Sequence, residues 1–212
     1  KNIGDYSTLD CGIKTGNNNL FVRLWHEVSI SKTAYRNSSL SDIESGKYKW
    51  FKYSQGGGFH RWYGAIENVV DLEYDAANIK TLVNKSTYRL RDKSKYYLPG
   101  MVWPMVGTDN FSSRFLPEDV LPDIASNVLY CVGEYEWKLL AYLNSKVFNK
   151  FITLINPTVN YPIDSVAAVP YELPSPSSQN EIISLSKENV LHGKQDWDSL
   201  ETSWDFKRNP LV

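Results

Sequence analysis

The segment Lys49-Trp50-Phe51-Lys52-Tyr53-Ser54-Gln55-Gly56-Gly57-Gly58-Phe59-His60-Arg61-Trp62-Tyr63 decides the fold class. Aromatic residues flank three glycines, so the two arms read as extended strands of a hairpin with a flexible tip. Alternation in the first arm breaks between Trp50 and Phe51, where a bulge is expected. The bland reading is a hairpin with aromatics packed inward and cations solvated. Because strand faces alternate, that reading coexists with a functional one.

On the N-terminal side, Cys11-Gly12-Ile13 and Leu20-Phe21-Val22-Arg23-Leu24-Trp25 read as extended runs around an Asn/Gly turn. Val69-Val70-Asp71-Leu72 is a further strand and Asp75 to Val83 a short helix. Met101 to Val106 and Val128 to Val132 read as buried strands. Leu140, Leu143, Val147, Phe151 and Leu154 recur at helical spacing from about Trp137 until Asn156-Pro157. That spacing assigns Leu143, Val147 and Phe151 to the core, with Trp50 and Trp62. After the Pro-rich run from Val169 to Pro176, Ser178 and Glu181 have capping-box spacing ahead of Ile182, Ile183 and Leu185. Strands interrupted by helices without βαβ regularity predict an α+β fold. The expected architecture is a twisted mixed or antiparallel sheet with flanking helices. The boundaries read as a domain at 1–176 and a C-terminal spacer helix and tail at 177–212.

The 212 residues are 42% hydrophobic and 14% aromatic, which excludes a disordered chain and suffices for a core. No apolar run approaches the roughly 20 residues of a membrane span. Two cysteines support neither a disulfide framework nor a metal cage, so a cytoplasmic setting is expected. Lys1 in place of Met suggests a fragment of a longer protein. The net charge of −1 offers no support for nucleic acid by itself. It is unevenly spread, however: residues 47–95 hold ten Lys/Arg against five acids, or +5, leaving −6 elsewhere.

Catalytic signatures are missing. There is no G-x-S-x-G elbow, P-loop or G-x-G-x-x-G, and three scattered histidines make a Ser-His-Asp triad a poor reading. Asp71, Glu73 and Asp75 start like a calcium loop, but Ala76 and Leu82 occupy its required Gly and Glu positions. As an isolated chain it reads as a non-enzyme.

Three segments suit a planar, phosphate-rich ligand. In Lys14-Thr15-Gly16-Asn17-Asn18-Asn19, Asn can read adenine through two hydrogen bonds and Lys14 can hold a phosphate; an ordinary turn is the simpler account. In the 49–63 segment, the glycines let a ligand approach the backbone, between cations and aromatics. In Asn110-Phe111-Ser112-Ser113-Arg114-Phe115, residue types alone favour a structural loop. Aromatic richness also permits a carbohydrate-binding module with Trp50, Trp62 and Tyr63 as its platform.

Taken together the segments resemble one family. Gly12-Ile13-Lys14-Thr15-Gly16-Asn17-Asn18 with Phe21 is similar to the opening of the target-recognition region of TaqI-like and type IIG adenine-specific DNA methyltransferases. Lys49 to Tyr53, Gly56-Gly57 and Arg61-Trp62-Tyr63-Gly64 resemble a block of the PglX-type methyltransferases of BREX phage defence. So do Phe111 to Pro117, Leu139 to Lys146, and Asn156 to Tyr161. Asp196-Trp197-Asp198-Ser199-Leu200-Glu201-Thr202-Ser203-Trp204-Asp205-Phe206 is the most specific match. Val169-Pro170 with Pro174, Pro176 and Gln179 is similar to the ends of type I specificity-subunit recognition domains. The family's Asn-Pro-Pro-Tyr-like motif has no counterpart: Asn156-Pro157-Thr158 and Asn209-Pro210-Leu211 do not fit.

The resemblance implies a target-recognition segment for double-stranded DNA, joined to a methyltransferase domain of the same polypeptide that uses S-adenosylmethionine. No cofactor, metal or membrane is expected for the segment itself. On that reading Lys14, Lys49, Lys52, Arg61 and the cations of 80–95, Arg89 and Arg91 among them, hold phosphates, and Asn17, Asn18, Asn19, Gln55 and Arg114 reach bases or nearby backbone. Thr15 and Gly57 complete the contact segments, and the acidic tail faces a neighbouring domain. A stand-alone specificity subunit acting in trans is the alternative within the class.

Overall fold

The computed structural model describes residues 1–36, 38–107, 110–131 and 135–211. In chain order the strands are β1 (Ser7–Cys11), β2 (Val22–Leu24), β3 (Thr33–Ala34), β4 (Trp50–Ser54), β5 (Asn68–Asp71), β6 (Gly100–Pro104), β7 (Arg114–Leu116), β8 (Leu121–Pro122) and β9 (Ser126–Cys131). The helices are α1 (Asn18–Phe21), α2 (Leu40–Ser45), α3 (Glu73–Leu82), α4 (Glu136–Leu143), α5 (Lys146–Ile155), α6 (Ile163–Ala167) and α7 (Pro176–Trp197). The fold is α+β, as the sequence predicts. The expected strand end at Val132 lies outside the described residues.

Two sheets form. One is antiparallel in the order β1-β9-β6-β7. The other places β2 and β5 antiparallel beside β4, while β3 and β8 run parallel to β4 at Trp50–Phe51 and Tyr53–Ser54. Strand alternation explains the layers. Met101, Trp103 and Leu129 face Leu139, Leu140, Leu143, Phe148 and Ile152 of α4 and α5 in one core. Phe51, Tyr53 and Val70 face Ile43 and Ile79 of α2 and α3 in a second. Val102, Val128 and Tyr130 meet Val69 in a third, so the sheets face each other across it. Each fully buried Leu or Phe here contributes about 1.5–3 kcal/mol.

A corner joins the sheets between β8 and β9. Tyr53 Oη lies 2.7 Å from both Ile13 O and an Asp123 carboxylate oxygen, and Asp123 N–H donates to Ser54 O at 3.0 Å. Gly12 passes so close that a Cβ there would collide with the Pro122 carbonyl. This accounts physically for Gly12-Ile13 preceding the Asn-rich turn.

Several expectations need correction. The return strand for β4 is Asn68–Asp71, not Phe59–Tyr63. Residues between the strands form a long loop with left-handed backbone at Gly57, Trp62, Gly64 and Ala65. The ladder is continuous through Trp50↔Asp71 and Phe51↔Val70, so there is no bulge. The long amphipathic helix is two helices, broken at Asn144-Ser145. Asn144 is buried, its carboxamide accepting from Ser113 N–H and donating to Ser113 O and Leu140 O, while Ser145 caps α5 by accepting from Phe148 N–H. The break resets the helical phase, turning Phe148 and Ile152 inward while Val147 is 56% and Leu154 79% exposed, and Phe151 is exposed too. Trp50 and Trp62 are half-buried rather than core.

The C-terminal helix starts at Pro176 behind Ser175, one turn before the expected cap. Its contacts cross the 176/177 position. Ser186 Oγ donates to Trp137 O, Gly64 lies under Trp197, and Trp204 stacks on Trp25 at 5.2 Å. Trp25 Nε1–H also donates to Thr202 O and Tyr35 O–H to Trp204 O. Lys194 neutralises Asp198 and Asp205.

Candidate nucleic-acid interface

The Asn-rich turn follows the corner directly. Lys14 and Arg89 bridge through two main-chain hydrogen bonds of 3.0 and 2.8 Å, and both are exposed, so two cations stand side by side. Gly16 adopts φ +80°, and a Cβ there would lie 2.8 Å from Val83 Cγ1, so no other residue fits comfortably. Buried Thr15 orders the turn by donating from Oγ1 to Asn18 Oδ1 at 2.5 Å and accepting from Asn17 N–H. Asn17, Asn18 and Asn19 remain exposed.

Beside that turn runs an open groove of about 430 Å³ lined by Asn18, Asn19, Arg23, Glu27, Gln55 and Asn68. It unites three of the sequence-predicted base-contacting residues from two distant segments. Arg23 is fixed there by donating to Asn19 O and Val22 O at 2.7 and 2.6 Å. Sequence reasoning missed Arg23 and Asn68. Arg23 sits in a run read only as strand and Asn68 just ahead of one, and what brings them together is the pairing of β2 with β5 near Gln55. Carboxamides and a guanidinium offer paired donors and acceptors, the chemistry that distinguishes base edges.

The other predicted contacts fall elsewhere. Arg114 is fully buried, and its guanidinium donates to Gly56 O at 2.7 Å and Gly57 O at 3.0 Å. Direct base contact by Arg114 is therefore replaced by support of the glycine loop. Burial pushes it down to about 10, so it stays charged at neutral pH. Lys52 is ion-paired with Asp119 at 2.7 Å, with a side chain only 13% exposed, and sits over the Tyr35 and Trp204 rings. Lys49 pairs with buried Asp71, and Arg91 pairs with Asp10 while donating to Gly12 O and contacting Cys11 Sγ. These cations hold the fold. Thr15 is likewise internal. Arg61 lies 5.1 Å from the Phe59 ring beside the loop, where Gly57 is exposed. Partial burial, then the Arg114 charge, lowers the His60 pKa.

The glycan platform does not assemble: Trp62 packs on the core of α4 and α5, whereas Trp50 and Tyr63 pack between the sheets. Among the described residues no cluster of three His, Cys, Asp or Glu suits a metal ion, and no helix is long and apolar enough to cross a membrane.

No protein-family model matches the chain. It is, however, 32% identical over 200 residues to the adenine-specific methyltransferase BrxX of Escherichia coli O9:H4 (strain HS), covering 93% of this chain. It is 31% identical over 207 residues to the adenine-specific methyltransferase PglX of Lacticaseibacillus casei (strain Zhang), covering 95%. The chain belongs to the BrxX/PglX family. It spans 15% and 17% of the two relatives. The fold of this BrxX/PglX segment is also similar to part of the type IIL restriction-modification enzyme MmeI, solved in complex with DNA. The TM-score is 0.56 at 13% identity, covering 95% of this chain and 33% of the MmeI chain.

Proposed function

We propose that this segment reads double-stranded DNA for an adenine-N6 methyltransferase polypeptide of a phage-defence or restriction-modification system. The observation that carries the reading is the groove, which gathers Asn18, Asn19, Gln55 and Arg23 at the end of the turn that begins at Lys14, itself bridged to Arg89. Cations at the rim hold phosphates and set register, while the carboxamides inside discriminate base edges. Relatives named as adenine-specific methyltransferases support the assignment. Methyl transfer, with its S-adenosylmethionine and the extrusion of the adenine from the duplex, is assigned to the parent polypeptide outside this segment.

The test is selection from a random duplex library. The chain enriches a defined site, and the Asn18→Ala/Gln55→Ala double variant loses that preference while retaining non-specific binding. Enrichment of the same site by wild type and variant would overturn the assignment of the groove.

A further inference from the structure

We propose that the amide groups of Gly57 and Gly58 form an oxyanion site for one backbone phosphate of the duplex, polarised from beneath by Arg114. The proposal rests on the DNA reading above and extends it to a site formed by main chain.

The geometry follows from peptide planarity. In a trans peptide the carbonyl and the following N–H point in opposite directions. Arg114 takes the carbonyls of Gly56 and Gly57 from inside, so the N–H groups of Gly57 and Gly58 are directed outward, away from it. Both residues are exposed, and among the described residues no acceptor lies on either amide. Gly57 at φ +50° is left-handed, the kind of backbone that lets successive amides converge on one anion.

The buried cation is the second observation. Among the described residues Arg114 has only the two carbonyls as partners and no carboxylate, and its Nε has no hydrogen-bond acceptor. An uncompensated buried charge is costly. Here its field runs through two aligned peptide dipoles to the surface, and it is felt at His60. An anion on the outer amides completes the neutralisation. Gln55 of the reading groove immediately precedes the loop, so a phosphate held here sets the register of the bases beside it. Arg114 is thus a positioning residue.

The site is tested by following backbone amides by NMR, titrating the chain first with inorganic phosphate and then with duplex. Gly57 and Gly58 should shift saturably in both. Gly58→Glu places a carboxylate in open space, since a Cβ there meets only His60 Nε2 at 4.0 Å. It should abolish the phosphate shifts, weaken duplex binding about tenfold and reduce the log–log salt slope by about 0.9. Arg114→Lys, which keeps the charge but loses the fork, should shift the same amides and lower the slope in part. Amides unmoved by phosphate, or a Gly58→Glu variant with the wild-type slope, would overturn the site. Phosphate shifts without duplex binding would leave an anion loop and sink the DNA reading instead.

Discussion

Lys14 and Arg89 lie 75 residues apart in sequence, yet each donates its main-chain N–H to the other's carbonyl, at 3.0 and 2.8 Å. Two exposed cations are thereby fixed on adjacent backbones. Each side chain is expected to meet a phosphate. Lys14→Ala and Arg89→Ala should each weaken binding to all duplexes about equally and reduce the salt slope by about 0.9. Anisotropy titrations on unrelated duplexes check this. A loss confined to one sequence would mean that these residues read bases.

The groove residues should behave in the opposite way. Asn18→Ala, Gln55→Ala and Arg23→Ala are expected to cost about 1–3 kcal/mol on the preferred site and little on others. The salt slope should stay near wild type for the two carboxamides. Competition binding with single-base variants of the selected site reads the difference.

Lys52→Ala should act on stability. Its removal leaves Asp119 without its 2.7 Å partner in a half-buried setting, at a cost of about 1–3 kcal/mol. Urea unfolding should reveal the loss, and duplex binding by the folded fraction should keep its salt dependence. A stable variant with a reduced slope would return Lys52 to the interface.

The C-terminal segment is expected to be integral to the fold. Trp204→Ala removes a nearly buried ring stacked on Trp25 and should destabilise by about 3 kcal/mol. Gly64→Ala forces a Cβ to 2.9 Å from Trp197 on a backbone at φ +120° and should destabilise as well. Intrinsic tryptophan fluorescence during denaturation follows both. Unchanged midpoints would describe 177–212 as a loosely attached spacer.

Acid should unfold the protein partly through Asp10. Burial alone would raise its pKa, but hydrogen bonds from Lys95 and from Cys11 N–H, with the charges of Arg91 and Lys95, outweigh burial and hold it low. Stability from such a group is present above the unfolded-state value near 4 and is lost as pH falls through the folded-state value. Asp10→Asn should therefore narrow the stability difference between about pH 6 and pH 3. An identical difference in the variant would exclude the contribution.

Local pattern made β5, β6, β9 and α3 legible, because apolar runs and turn residues act over a few positions. The groove was legible in part: Asn18, Asn19 and Gln55 have residue types suited to bases, but only the β2–β5–β4 pairing brings Arg23 and Asn68 beside them. What misled was non-local. Arg114 looked like a surface donor because nothing near it shows that Gly56 and Gly57 return to cover it. Lys52 looked free because its partner Asp119 is 67 residues away. Val147 and Phe151 kept helical spacing, but one buried carboxamide at Asn144 shifted their phase.

The most direct test of DNA reading is the affinity of the chain for a duplex between 50 and 200 mM salt. With phosphates held at Lys14, Arg89 and the Gly57–Gly58 amides, the log–log slope should be about −2.7, a loss of roughly 40-fold across that range. Binding that is absent or insensitive to salt would contradict the account.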